Sequence, residues 1–167
     1  MKTLQVISLL AATITTGLMA GLFYSFSMAT MPGLAATDDR TFVHAMQRIN
    51  IAILNGWFAL CFGGAVVLGL VATLLHLSGD GRKVLPWVIA GVALYTVQLV
   101  ITMAFNVPLN NQLDAAAADI SKVTDPAAVR AAFEDAWNRW NVIRTWVNLA
   151  SFAMLAWALV QHGRLVG

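Results

Sequence analysis

The sequence predicts an all-α integral membrane protein, a four-helix bundle with a helical extension in its second outer loop. Three observations predict it. Hydrophobic residues make up 59% of the 167 positions and charged residues only 11%, against roughly a quarter charged in an ordinary soluble domain. The apolar residues gather into four runs, 4–31, 51–75, 84–106 and 142–160, each near the roughly 20 residues that carry a helix across a bilayer core. No Lys, Arg, Asp, Glu or His falls inside the first three runs. With no Ser- or Gly-rich linker and no obvious repeat, residues 1–167 read as one domain.

The first run follows Lys2 and continues well past the roughly 7 to 15 apolar residues of a secretory signal core. Leu18, Met19 and Ala20 also make a poor cleavage sequence, so the run reads as a span. Along it Thr13, Gly17, Gly21, Ser25 and Ala29 recur every four residues, a ridge of small side chains that lets another helix approach closely. That helix belongs to the same chain or to a second copy, so self-association through Gly17 and Gly21 is one expected use. Met31, Pro32, Gly33 and Leu34 read as a helix stop and a turn. A helix restarts with Asp38 or Asp39 as N-cap and carries Phe42, Val43, Met46, Ile49 and Ile53 at helical spacing into the second span.

Ser78, Gly79, Asp80 and Gly81 form a plain turn before the third span, which is expected to end at Pro108. The loop over 107–141 is too long for a bare connection in so small a domain. Within it Asp125 and Pro126 mark a helix start, and Val129, Phe133, Trp137, Trp140 and Arg144 then share one face. The last helix is therefore expected to begin outside the membrane and run in without a break.

The formal charge of +2 is dispersed, with no basic run, which gives nucleic-acid binding no support. Cys61 is the single cysteine, so no intrachain disulfide can form. Lys2, Arg82, Lys83 and Arg164 lie in the short segments, whereas all acids but Asp80 lie in the two longer loops. Basic residues in short segments predict both termini in the cytoplasm and both long loops outside.

Polar residues converge on that outer side. Gln47 and Asn55 share a face of the second helix with Asn50 nearby; Tyr95, Gln98, Thr102 and Asn106 align on the third; Asn141, Arg144, Thr145 and Asn148 align on the fourth. Asn110 follows Pro108. The predicted result is a cup lined by amides, aromatics and one guanidinium. Each member also has a plainer use: tryptophans anchor at headgroups, amides bond between helices, and an arginine near a span end snorkels. An arginine entering lipid is nonetheless costly unless something pairs with it, which marks Arg144 as a functional candidate. His44 lies on the outer side, three residues before Gln47, while His76 and His162 fall at inner helix ends. These histidines match no metal-ligand spacing, and neither a phosphate loop nor a nucleophile elbow is present.

Met31, Pro32, Gly33, Leu34, then Met46, Gln47, Arg48, Ile49, Asn50, then Phe105, Asn106, Val107, Pro108, Leu109, Asn110, then Trp137, Trp140, Asn141, Arg144, Thr145 together resemble the anthrone oxygenase-like membrane proteins. The resemblance spans nearly the whole chain, and bacterial relatives place it in a bacterial plasma membrane. It implies oxidation of an anthrone to an anthraquinone by dioxygen with no cofactor. In that reading Arg144 partners the oxyanion, Gln47, Asn50, Asn106, Asn110 and Asn141 bind and orient substrate, and Trp137 and Trp140 are stacking walls. His44, the one histidine on that side, is the candidate base. The competing expectation is a non-catalytic module that binds a lipid, a quinone or a partner protein. An open aromatic-walled pocket favours the first, and a closed polar plug favours the second.

Overall fold

Five helices carry the chain in the computed structural model, which describes residues 2–116 and 120–166. They are α1 (Lys2–Ala35), α2 (Asp39–Ile53), α3 (Gly56–Leu75), α4 (Leu85–Ala116) and α5 (Pro126–Leu165). All but α2 are long and apolar enough to cross a membrane, so the protein is an all-α membrane bundle. The four long helices pack in a ring in which α1 meets α3 and α5, and α4 meets α3 and α5. Chain starts and ends gather at one end of the ring, the terminus end. The other end carries α2 and the long loops.

Neither proline stops its helix, contrary to the expectation from Pro32 and Pro108. Each is preceded by one wide π-turn, Phe26–Thr30 in α1 and Thr102–Asn106 in α4. The Met31 amide bonds back to the Phe26 carbonyl, and the Val107 amide to the Thr102 carbonyl, five residues earlier in each case. A proline inside a regular α-helix removes one backbone bond and drives its ring into the carbonyl four residues back. Widening the turn just ahead shifts that register and lets the helix pass through. As a result α4 spans about 48 Å at 1.5 Å per residue, longer than a hydrocarbon core of about 30 Å. Its last segment, Val107–Ala116, lies past the apolar run 84–106.

The second span also starts later than expected. Residues 51–53 finish α2, the backbone turns at Leu54, and Asn55 caps a new helix by accepting from the Phe58 amide at 3.0 Å. Asn55 thus serves the backbone rather than the cup. At α5 the expectation holds: Asp125 accepts from the Ala128 amide at 3.0 Å, Pro126 opens the helix, and the helix continues unbroken into the span.

Two arginines hold α2 over the open end of the ring. Arg130 on α5 donates to the carbonyls of Ala35 and Thr37, pairs with Asp39 at 3.0 Å and Glu134 at 2.6 Å, and lies over the Phe42 ring. Arg40 donates to the carbonyls of Ile120 and Val123. Beneath them Phe42, Val43, Met46, Leu113, Phe133 and Trp137 form a buried cluster. At roughly 1.5 to 3 kcal/mol for each large side chain buried, that cluster outweighs the exposed charge pairs in fixing α2.

The terminus end is packed differently. Leu9, Ala12, Ala72, Val84, Val88, Leu155 and Ala158 make an apolar layer. Glycines bring the helices close: a Cβ at Gly91 would lie 2.7 Å from Leu155, one at Gly69 2.8 Å from Val92, and one at Gly17 2.9 Å from the Phe152 ring. Gly17 of the small-residue ridge is therefore occupied by α5 of the same chain. Gly21, one turn on, meets nothing within 4 Å.

Candidate functional site

The expected cup exists. A cavity of about 360 Å³ lies between α1, α2, α4, α5 and the start of α3. Among the expected residues, Asn50, Asn106, Asn110, Trp137 and Arg144 line it. Phe23, Phe26, Phe58, Phe62, Thr102, Asn111 and Asp114 complete much of its wall. Leu54 and Met103 form an exposed apolar edge of it, 78% and 55% exposed.

Arg144 is only 7% exposed, so it does not snorkel to the surface. Its Nε and Nη2 donate to Asn141 Oδ1 at 3.0 and 2.8 Å, and Nη1 donates to Thr102 Oγ1 at 3.4 Å. The guanidinium also sits 4.2 Å over the Phe23 ring and 5.3 Å from the Trp137 ring. No carboxylate pairs with it among the described residues. A guanidinium has five N–H donors, and these three bonds leave two for a ligand.

Asn141 stands behind the arginine rather than in the wall. Its Nδ2 donates to the Phe23 carbonyl at 3.1 Å and to Ser27 Oγ at 2.8 Å, beside the α1 π-turn. That fixes the amide with its oxygen toward Arg144. Asn110 Oδ1 accepts from the Trp137 indole at 2.8 Å, which sets the plane of the tryptophan, and Phe26 packs against the same ring at 5.5 Å. Asn106 Nδ2 donates to the Trp137 carbonyl at 3.3 Å.

Several buried polar atoms have no partner among the protein's groups: Asn50 Nδ2, Asn106 Oδ1 and Asp114 Oδ1 around the cavity, with Gln98 Nε2, Thr16 Oγ1 and both amide atoms of Asn148 also unmatched. Such atoms cost roughly 1 to 3 kcal/mol each. Unmatched polar atoms beside open space are available to a ligand or to water. Asp114 lies on the last segment of α4, past the apolar run 84–106, and burial raises its carboxyl above the ordinary carboxylate value.

Three expected site residues are not in the wall besides Asn141. His44 is exposed, on the side of α2 opposite Phe42, Val43, Met46 and Asn50. Gln47 is half-buried and donates to the Leu113 carbonyl at 3.2 Å, tying α2 to α4. Trp140 stacks flat on Phe105 at 3.6 Å outside the cavity. The reason is angular: each residue turns a helical side chain by about 100°, so His44 falls opposite Met46, and a three-residue step such as Trp137 to Trp140 or Gln47 to Asn50 still swings it aside by about 60°.

The sequence reading missed Phe23, Phe26, Asn111 and Asp114. A signal for Asp114 was present: Gln98, Thr102, Asn106, Asn110 and Asp114 recur every four residues. It is legible only if α4 is carried through Pro108.

A family model described as anthrone oxygenase matches residues 57–154, more than half of the chain. The chain belongs to the anthrone oxygenase family. The matched stretch contains Thr102, Asn106, Asn110, Asp114, Trp137, Asn141 and Arg144, and membership supports a related oxygenase-like function at the level of the family. No curated protein and no solved structure matches the chain.

Proposed function

We propose that this protein oxidises a flat, lipophilic aromatic ketone or quinol-like molecule with dioxygen, needing no cofactor, and that the cavity beside Arg144 is where it does so. One observation carries the reading. A buried guanidinium held only by neutral groups keeps two N–H donors for a ligand in a cavity walled by Phe23, Phe26 and Trp137. That combination suits an oxygen atom that becomes anionic on an aromatic framework. Removing a proton from an activated ring carbon gives an electron-rich enolate, which can pass an electron to dioxygen directly. The protein then has to take the proton, stabilise the oxyanion and exclude water.

The lipid edge formed by Leu54 and Met103 suits a substrate dissolved in the bilayer. Lys2, Arg82, Lys83 and Arg164 at the terminus end support a cytoplasmic placement of both termini, with the cavity toward the outer leaflet. Self-association through Gly21 belongs to the same reading, since that part of the ridge is uncovered.

The test is oxygen uptake by purified protein in lipid nanodiscs with anthrone, together with anthraquinone formation, before and after treatment with a chelator. Uptake that survives the chelator is the expected result. No uptake above the spontaneous rate with anthrone or with hydroquinones would discard the reading.

A further inference from the structure

The proposed reaction needs a proton acceptor, and the residue expected for that task, His44, is exposed on the far side of α2. Among the described residues that line the cavity, only Arg144 and Asp114 are ionisable. Side chains tilt toward the start of their own helix, and α4 and α5 run in opposite directions, so Asp114 points back into the bundle while Arg144 points out of it. Trp137 shares the cavity wall with both. Its ring is 5.3 Å from the Arg144 guanidinium, its indole nitrogen is 2.8 Å from Asn110 Oδ1, and Asn110 is one helical turn before Asp114 on the same face.

We propose that Asp114 is the proton acceptor of this site, working across the Trp137 ring from Arg144. The inference rests on the oxygenase reading and supplies the group it lacks. In an anthrone the carbonyl oxygen and the acidic methylene sit at opposite ends of the central ring. In this proposal a ligand stacked on Trp137 with its oxygen at Arg144 presents the methylene toward Asp114. One C–H proton passes to the carboxylate and its electron pair moves into the ring, leaving the negative charge on the oxygen at Arg144. The anion then gives an electron to dioxygen, and the radical pair combines to a carbon-bound peroxide anion, which takes the proton back from Asp114. Loss of the second methylene proton to Asp114 breaks the O–O bond, forming the new carbonyl and releasing hydroxide. Hydroxide takes that proton to leave as water, so one anthrone and one dioxygen become one anthraquinone and one water.

Asp114 Oδ1 is buried without a partner. Among the described residues no ion pair involves the group, and its carboxyl is held above the ordinary value by burial, which makes the carboxylate a stronger base.

Proton removal can be read without oxidation. Under nitrogen in heavy water, wild-type protein in nanodiscs should exchange the methylene protons of anthrone faster than the lipid background, followed by proton NMR. Asp114→Asn should lose that exchange by about 100-fold or more, as general-base removal does, with anthrone still quenching Trp137 fluorescence. Asp114→Glu should restore part of the rate. Exchange that persists in Asp114→Asn while the wild type both exchanges and oxidises would overturn the role of Asp114 alone. A wild type that binds anthrone but neither exchanges nor oxidises it would overturn the oxygenase reading and this inference with it.

Discussion

The two ends of the bundle satisfy their polar groups in opposite ways. At the terminus end most buried polar side chains find partners, His162 Nε2 being an exception. The Gln5 amide donates to the Leu75 carbonyl at 2.7 Å, and Ser151 donates to the Gly91 carbonyl at 2.7 Å. His76 Nδ1 donates to the Ala72 carbonyl at 2.7 Å, and its Nε2 lies 3.2 Å from His162 Nδ1. Around them the helices touch through glycine, with no room for a Cβ at Gly91 or Gly69. At the cup end the helices are held apart by aromatic rings, and Asn50, Asn106 and Asp114 keep unmatched atoms. A membrane offers no water to compensate either arrangement. The closed end contributes stability, and the open end spends part of it on a site.

The largest effect that would break this contrast is at Arg144. Arg144→Ala removes both spare donors and leaves Asn141 Oδ1 unpartnered, and kcat/KM for anthrone oxidation should fall by about 100- to 1,000-fold, as for loss of an oxyanion donor. Arg144→Lys should recover little, because a lysine cannot span Asn141 and Thr102 together.

Next in size is the pH profile, measured as kcat/KM across the acid range. The reaction needs the Asp114 carboxylate, so activity should be lost as pH falls through its raised value, and Asp114→Asn should lack that limb. Stability runs the other way. A carboxyl whose value rises on folding favours the protonated folded state, so its contribution is present at low pH and is lost as pH rises from the unfolded toward the folded value. Asp114→Asn should therefore melt no lower than wild type at neutral pH.

The closed end is tested by Gly91→Val. A Cβ there meets Leu155 at 2.7 Å and the Ser151 carbonyl at 3.3 Å, so overpacking should cost about 1 to 3 kcal/mol in unfolding experiments. Substrate affinity of the fraction that stays folded should be unchanged. The smallest effect is expected from His44→Ala, whose side chain is exposed and outside the wall. Oxygen uptake should stay within about 2-fold of wild type, in keeping with a surface change of about 0.5 kcal/mol or less. A large loss there would move the chemistry out of the cavity.

Much of the bundle was legible because its causes are local. Apolar runs long enough to cross a bilayer, the Asp38 and Asp125 caps and the unbroken entry of α5 need only neighbours along the chain. Arg144 was legible for the same reason, as a charge where hydrocarbon begins. Proline misled the reading twice. Pro32 and Pro108 are stop signals in a regular helix, but a single wide turn before each carries the helix on. Asp114 was lost with that error, because the ladder from Gln98 reaches it only beyond Pro108.

By itself, then, the sequence determined the membrane bundle, the end at which polar groups collect and the arginine among them. Period, length and charge cost act residue by residue, and no partner is needed to read them. Only the tertiary structure decided which of those groups face open space. It bound Asn141 to the α1 backbone, turned Gln47 to the Leu113 carbonyl, stacked Trp140 on Phe105 and left Asp114, Trp137 and Arg144 lining one cavity. The physical reason is that a helical face is fixed by sequence only to within its own rotation. What that face meets depends on how four helices, two wide turns and α2 are packed together.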